Sequence, residues 1–175
     1  MTSFIDLIQQ RRSCRNYDSK PLTPQQIEIL TKALLWSPTS KNNRPWEYVF
    51  VTNPLILNKM SQAKPHGASF MASAPLAVVI LADPAKSDVW IEDTSVATTL
   101  LQMAAEDLGL GSCWIQIRQR KHENGETSSN IIKSILNAPE HLEVATVVTI
   151  GYKAKERNPN SDDMLMRDRI HNESF

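Results

Sequence analysis

Arg11-Arg12-Ser13-Cys14-Arg15-Asn16-Tyr17-Asp18 places three arginines within five residues, with a hydroxyl between the second and the third. The preceding segment, Thr2 to Gln10, reads as a short helix. Ser3 and Asp6 have capping-box spacing, and Phe4, Ile5 and Ile8 form one apolar stripe. The arginines therefore leave a helix C-terminus, where the negative end of the dipole favours cations. Arg11 and Arg12 can be read as no more than that. Dipole pairing, however, leaves the serine and the third arginine unexplained. Guanidinium forks beside a hydroxyl match the oxygens of a phosphate monoester. Both readings stand on this stretch alone.

Composition narrows the classes. The chain has 175 residues, enough for one domain with a sizeable core. Lys+Arg and Asp+Glu both number 19, so no net basic field invites nucleic acid or an anionic membrane. Cys14 and Cys113 lie far apart, with no CxxC pair and no Cys/His ligand spacing. That predicts neither a disulfide framework nor a metal site, and a reducing, cytoplasmic setting. No apolar run approaches the ~20 residues of a membrane span. The polar, amphipathic start does not read as a signal peptide. No repeat or low-complexity linker divides the chain, so residues 1–175 are expected to form a single domain.

Outward from the arginines, Thr23-Pro24-Gln25-Gln26 opens a helix with Thr23 as N-cap and Gln26 completing a capping box. Its buried face is Ile27, Leu30, Ala33 and Leu34, and it ends near Trp36, before Pro38. Ser37-Pro38-Thr39-Ser40-Lys41-Asn42-Asn43-Arg44-Pro45-Trp46 is a polar loop running into the strand Tyr48-Val49-Phe50-Val51. Short polar side chains are ordinary turn chemistry. They also offer hydroxyl and amide groups to several edges of a polar heterocycle.

Beyond the loop, Asn53-Pro54 opens a helix to about Met60. Ala63 to Ser69 reads as an irregular loop in which Lys64 and His66 are either solvated or within reach of a ligand. The run Leu76 to Ala82 is a strand buried on both faces. From Ile91 to Leu108 runs the longest helix, its stripe made of Val96, Ala97, Leu100, Leu101, Ala104, Ala105 and Leu108, with Gly109 as C-cap. Leu110 to Ile117 enters a strand, and Arg118 to Glu126 is a solvated excursion. Ser128 or Ser129 caps a helix ended by Pro139, and Glu143 to Tyr152 is the last core strand. His122, His141 and His171 are expected at the surface.

Three motifs in order, the arginine segment, the Ser/Asn loop and Gly109-Leu110-Gly111-Ser112-Cys113-Trp114-Ile115 after a long helix, resemble the nitroreductase family of FMN-dependent oxidoreductases. That family carries Arg-Arg-Ser-x-Arg-x-aromatic near its start and a Pro-Ser-Ser-x-Asn-x-Gln-Pro-Trp loop leading into a strand. The resemblance runs from about Ile5 to Tyr152. The chain departs at Thr39, which keeps a hydroxyl, and at Arg44, where a cation replaces a neutral amide.

The resemblance implies an α+β fold: a mixed, mostly antiparallel sheet flanked by helices, in an intertwined homodimer with two flavin sites. Each site would take Arg11, Arg12, Ser13 and Arg15 from one subunit and Pro38, Thr39, Ser40 and Asn42 from the other. Ile115 and Gln116 would line the flavin, the Gln116 amide facing N5, with Gln116 and Ile117 narrowing the substrate slot. Lys155, Arg157 or Arg169 would reach the FMN phosphate. The implied reaction is ping-pong hydride transfer from NADH or NADPH through FMN to nitroaromatics, quinones or similar electron-poor small molecules. No side chain is assigned as catalytic, and Arg15 would tune the flavin. Two other readings are a flavin-holding regulator or storage protein and an interaction module without flavin.

Overall fold

Described residues of the computed structural model are 3–175. In chain order they form α1 (Phe4–Gln10), α2 (Pro24–Leu35), β1 (Trp46–Val51), α3 (Pro54–Ser61), β2 (Leu76–Ala82), α4 (Trp90–Asp107), β3 (Leu110–Gln116), α5 (Ser128–Leu136) and β4 (Glu143–Tyr152). The strands make one sheet in the order β1-β2-β4-β3, and every neighbouring pair is antiparallel. Among the described residues the parallel pairing is a single bridge, Ser13 with Ser112. A bulge at Ala145 shifts the register of β4 against β2.

Strand alternation explains the layers. Successive side chains of β2 point to opposite faces. Leu76, Val78 and Ile80 join Leu30 and Leu34 of α2 and Ala97, Leu101 and Ala105 of α4. Ala77, Val79 and Leu81 join Leu57 and Met60 of α3 and Ile132 of α5. All seven β2 residues are buried. Each large aliphatic side chain removed from water is worth about 1.5–3 kcal/mol, and this inner strand contributes to both clusters.

Local signals behave as their chemistry dictates at most ends. Ser3–Asp6 and Thr23–Gln26 both form complete capping boxes. Thr2, assigned to the first helix from the sequence, lies outside the described residues. Gly109 follows α4 with φ +70°, the left-handed geometry that glycine supplies without a Cβ penalty. Helix α5 differs from expectation. Thr127 is its N-cap, its hydroxyl accepting from the Asn130 amide at 3.2 Å. Ser129 instead bonds Glu143 and the Val144 amide, and the helix stops at left-handed Asn137, ahead of Pro139.

Two apolar stripes differ as well. Phe4, Ile5 and Ile8 of α1 are 62%, 68% and 45% exposed, and Val96 of α4 is 40% exposed. Their helical spacing is real, but these side chains remain exposed within one chain, whereas Ala97, Leu101 and Ala105 of the α4 stripe are buried.

Candidate functional site

The arginine segment crosses the ends of β3 and β4. The Cys14 amide donates to the Ser112 carbonyl at 2.9 Å, and the Asp18 amide to the Tyr152 carbonyl at 3.0 Å. Tyr17 shares a hydrogen bond with Thr149 Oγ1 at 2.8 Å, and burial pushes its phenol well above the usual range. The backbone comes so close that a Cβ on Gly111 would lie 2.6 Å from Cys14 Cβ. Burial raises the thiols of Cys14 and Cys113 above the ordinary cysteine value. Both are free and buried.

Held there, the segment forms one wall of a cleft of about 480 Å³ whose other wall is the chain just after β4. Arg12, Arg15, Lys153, Lys155 and Arg157 line it, with Glu156 the one carboxylate. Lys153 is committed to Glu106 at 2.8 Å and Glu156 at 3.5 Å. Among the described residues Arg12, Arg15, Lys155 and Arg157 are in no ion pair. Arg12 Nη1 also donates to the Asn158 carbonyl at 2.7 Å, which holds the tail against the segment. The Arg15 guanidinium lies 5.8 Å from the Phe70 ring centroid, within cation–π range. The cleft is cationic and bears guanidinium forks.

The polar loop is a separate construction. Lys41, Asn42 and Arg44 all have positive φ, at 51°, 57° and 46°. The Arg44 amide donates to Thr39 Oγ1 at 3.0 Å, and Arg44 Nε donates to Asn42 Oδ1 at 2.9 Å. The Ser40 amide donates to Asp93 Oδ1 at 2.8 Å, and the Ser87 hydroxyl to Asp93 Oδ2 at 2.9 Å. Neither Pro38, Thr39, Ser40 nor Asn42 lines the cationic cleft. One chain carries both sets without bringing them together.

At the end of β3, the Gln116 side chain is held on both sides. Its Oε1 accepts from Trp114 Nε1 and its Nε2 donates to the Arg118 carbonyl, both at 3.0 Å. Lys64 Nζ donates to the Gln116 carbonyl at 3.2 Å. Burial, with the charge of Arg120, holds the Lys64 ammonium below the ordinary lysine value. The side chain of Ile115 is in the core, so a ligand at that position would meet backbone only. Ile117 is also in the core, 1% exposed, and does not narrow a slot as the resemblance suggested. The alternation that leaves Trp114 and Gln116 half-buried turns both isoleucines inward.

Of the three tail candidates, Lys155 and Arg157 reach the cleft. Arg169 does not, and lies beside Asp168 at 3.7 Å. Sequence reasoning missed Lys153, Glu106 and Asp93. Asp93 sits four residues before Ala97 on the buried stripe of α4, and a carboxylate in phase with such a stripe is the signal that could have found it.

The model of the family described as "Nitroreductase family" matches residues 8–152. A candidate NADH dehydrogenase/NAD(P)H nitroreductase of Archaeoglobus fulgidus is 33% identical over 180 residues, covering 100% of both chains. An FMN-dependent nitroreductase of Clostridium difficile superposes with a TM-score of 0.96 at 37% identity, covering 98% of this chain and 99% of that one. A candidate NADH dehydrogenase/NAD(P)H nitroreductase of Bacteroides thetaiotaomicron superposes with a TM-score of 0.89 at 27% identity, each chain covered to 98%. The arginine segment, the polar loop and the sheet that carries them lie within the matched span, and the chain belongs to the nitroreductase family.

Proposed function

We propose that the protein is an FMN-dependent oxidoreductase that uses NADH or NADPH to reduce nitroaromatics, quinones or similar electron-poor molecules. The observation that carries this is the cationic cleft, where Arg12, Arg15, Lys155 and Arg157 converge without ion-pair partners among the described residues. The donor set fits a phosphate monoester. Guanidinium forks and an ammonium suit its oxygens, and the single carboxylate, Glu156, is drawn toward Lys153. Bound FMN would supply the redox chemistry, taking two electrons from the pyridine nucleotide and passing them to the acceptor in ping-pong order.

The chain's own residues bind and orient. Arg12 and Arg15, with Lys155 and Arg157, hold the phosphate end from the cleft. Arg11 and Ser13 do not line it and are assigned to the same phosphate by the family resemblance, and Arg15 reaches toward the ring. The Gln116 backbone N–H is directed at the ring edge, and Lys64 holds the carbonyl of the same residue. Pro38, Thr39, Ser40 and Asn42 serve the cofactor of a second subunit. Their separation from the cleft within one chain supports this, as do the exposed apolar residues of α1, of α2 and of its C-cap Trp36, which is 78% exposed. The protein therefore works as a homodimer.

Purified protein is loaded with FMN and titrated with NADH and NADPH without oxygen. Bleaching of the flavin absorbance, reversed by a quinone or nitroaromatic, is expected. Protein that binds FMN but is never bleached would be a flavin-holding regulator or storage protein. Protein that takes up no FMN would be an interaction module.

A further inference from the structure

We propose that Asp93, in the first turn of α4, is the positioning residue that sets the Ser/Asn loop for cofactor binding. The proposal rests on the functional reading above. Asp93 is 5% exposed, yet among the described residues it is in no ion pair. A buried carboxylate without a cation is costly unless hydrogen bonds and dipoles replace its water. Three features do so here: the Ser87 hydroxyl, the Ser40 amide and the positive end of an 18-residue helix.

The loop needs such an anchor. Lys41, Asn42 and Arg44 hold left-handed backbone without glycine, a conformation that persists only where surrounding contacts impose it. Most hydrogen bonds of residues 39–44 are internal to the loop, Thr39 with Arg44 and Asn42 with Arg44 among them. Among the described residues, the one bond from this stretch to another element is Ser40 to Asp93. Its 2.8 Å length is that of a charge-assisted bond, which is about twice as strong as a neutral one. The carboxylate thus holds the peptide between Thr39 and Ser40, the two hydroxyl residues that the loop offers to a flavin. Asp93 touches no cofactor itself. It acts through Ser40.

Asp93→Ala, Asp93→Asn and wild type are compared in two measurements on the full chain, FMN affinity and trypsin cleavage after Lys41. Asparagine keeps an acceptor for Ser40 and offers its NH₂ to the Ser87 oxygen, so it is the conservative replacement. Asp93→Ala is expected to weaken FMN binding about tenfold or more and to speed the Lys41 cut relative to cuts elsewhere. Asp93→Asn is expected to stay within about threefold of wild type in both measurements. Should Asp93→Ala fail to fold, Asp93→Ser replaces it. Its hydroxyl suits a first helical turn but falls short of Ser40, so the same losses are expected. Wild-type affinity in Asp93→Ala or Asp93→Ser overturns the proposal, as does equal weakening in Asp93→Asn. Failure of the wild type to bind FMN overturns the functional reading instead.

Discussion

Lys153 Nζ lies 2.8 Å from Glu106 Oε1, joining the residue after β4, which lines the cationic cleft, to the last turn of α4. Their side chains are 15% and 4% exposed. Removing one member of such a pair leaves the other charged and buried, which costs about 3–5 kcal/mol. Lys153→Met is therefore expected to lower unfolding free energy by roughly that amount in urea titration. A loss below about 1 kcal/mol would mean that Glu106 finds water or another cation.

The same pair sets an alkaline limit. Burial pulls the Lys153 ammonium down, but the hydrogen bond and charge of Glu106, with Glu156, outweigh it and hold the group above its ordinary 10.5. A pKa raised on folding gives stability that is complete below the unfolded value and lost as pH climbs through the folded one. Thermal unfolding followed from about pH 9 to about pH 11.5 should show wild type losing more stability above 10.5 than Lys153→Met does. Parallel curves would remove Lys153 from the alkaline transition.

Gly111 is where the arginine segment touches the sheet. A methyl there would stand 2.6 Å from Cys14 Cβ, 2.7 Å from its Sγ and 2.9 Å from Lys153 Cγ. Gly111→Ala is expected to cost about 1–3 kcal/mol as an overpacking change and to push Arg12 and Arg15 out of line. Weaker FMN binding should accompany the lost stability. Stability lost with full FMN affinity would show that the segment moves without disturbing the cleft.

Ile117 points into the core, so its removal should act on stability and not on access. Ile117→Gly is expected to lose at least the roughly 2–5 kcal/mol typical of truncating a buried isoleucine to alanine. Preference between bulky and small quinones should stay unchanged. Faster turnover of bulky quinones in a variant of wild-type stability would restore the steric reading.

Arg15 and Arg11 should separate in function. Two-electron reduction leaves negative charge on the pyrimidine edge of a flavin, and a fixed cation there favours the reduced form. Arg15→Ala is expected to lower the midpoint potential of bound FMN by about 30–65 mV, the equivalent of one charge-assisted contact. Arg11→Ala should mainly weaken FMN binding and recover with added FMN. An unchanged potential in Arg15→Ala would make Arg15 another phosphate ligand.

What the sequence determined by itself was local or periodic. The caps Ser3 and Thr23, the buried run Leu76–Ala82, the glycine after α4 and the last strand all follow from chemistry within a few residues. The capping choice at α5 was less legible: the sequence points to Ser128 or Ser129, and the cap is the neighbouring hydroxyl of Thr127. Tertiary contacts took Ser129 out of the choice by giving it to Glu143 and Val144.

Only the tertiary structure decided which charges meet. Lys153 and Glu106 are 47 residues apart, and Ser40 and Asp93 are 53 apart. No periodicity links such positions. Their pairing depends on α4 lying across the sheet with one end near each motif. The sequence likewise marked Ile115, Gln116 and Ile117 as neighbours. The pleat of β3 then sent the isoleucines into the core and left Gln116 at the edge, because successive side chains of a strand face opposite ways.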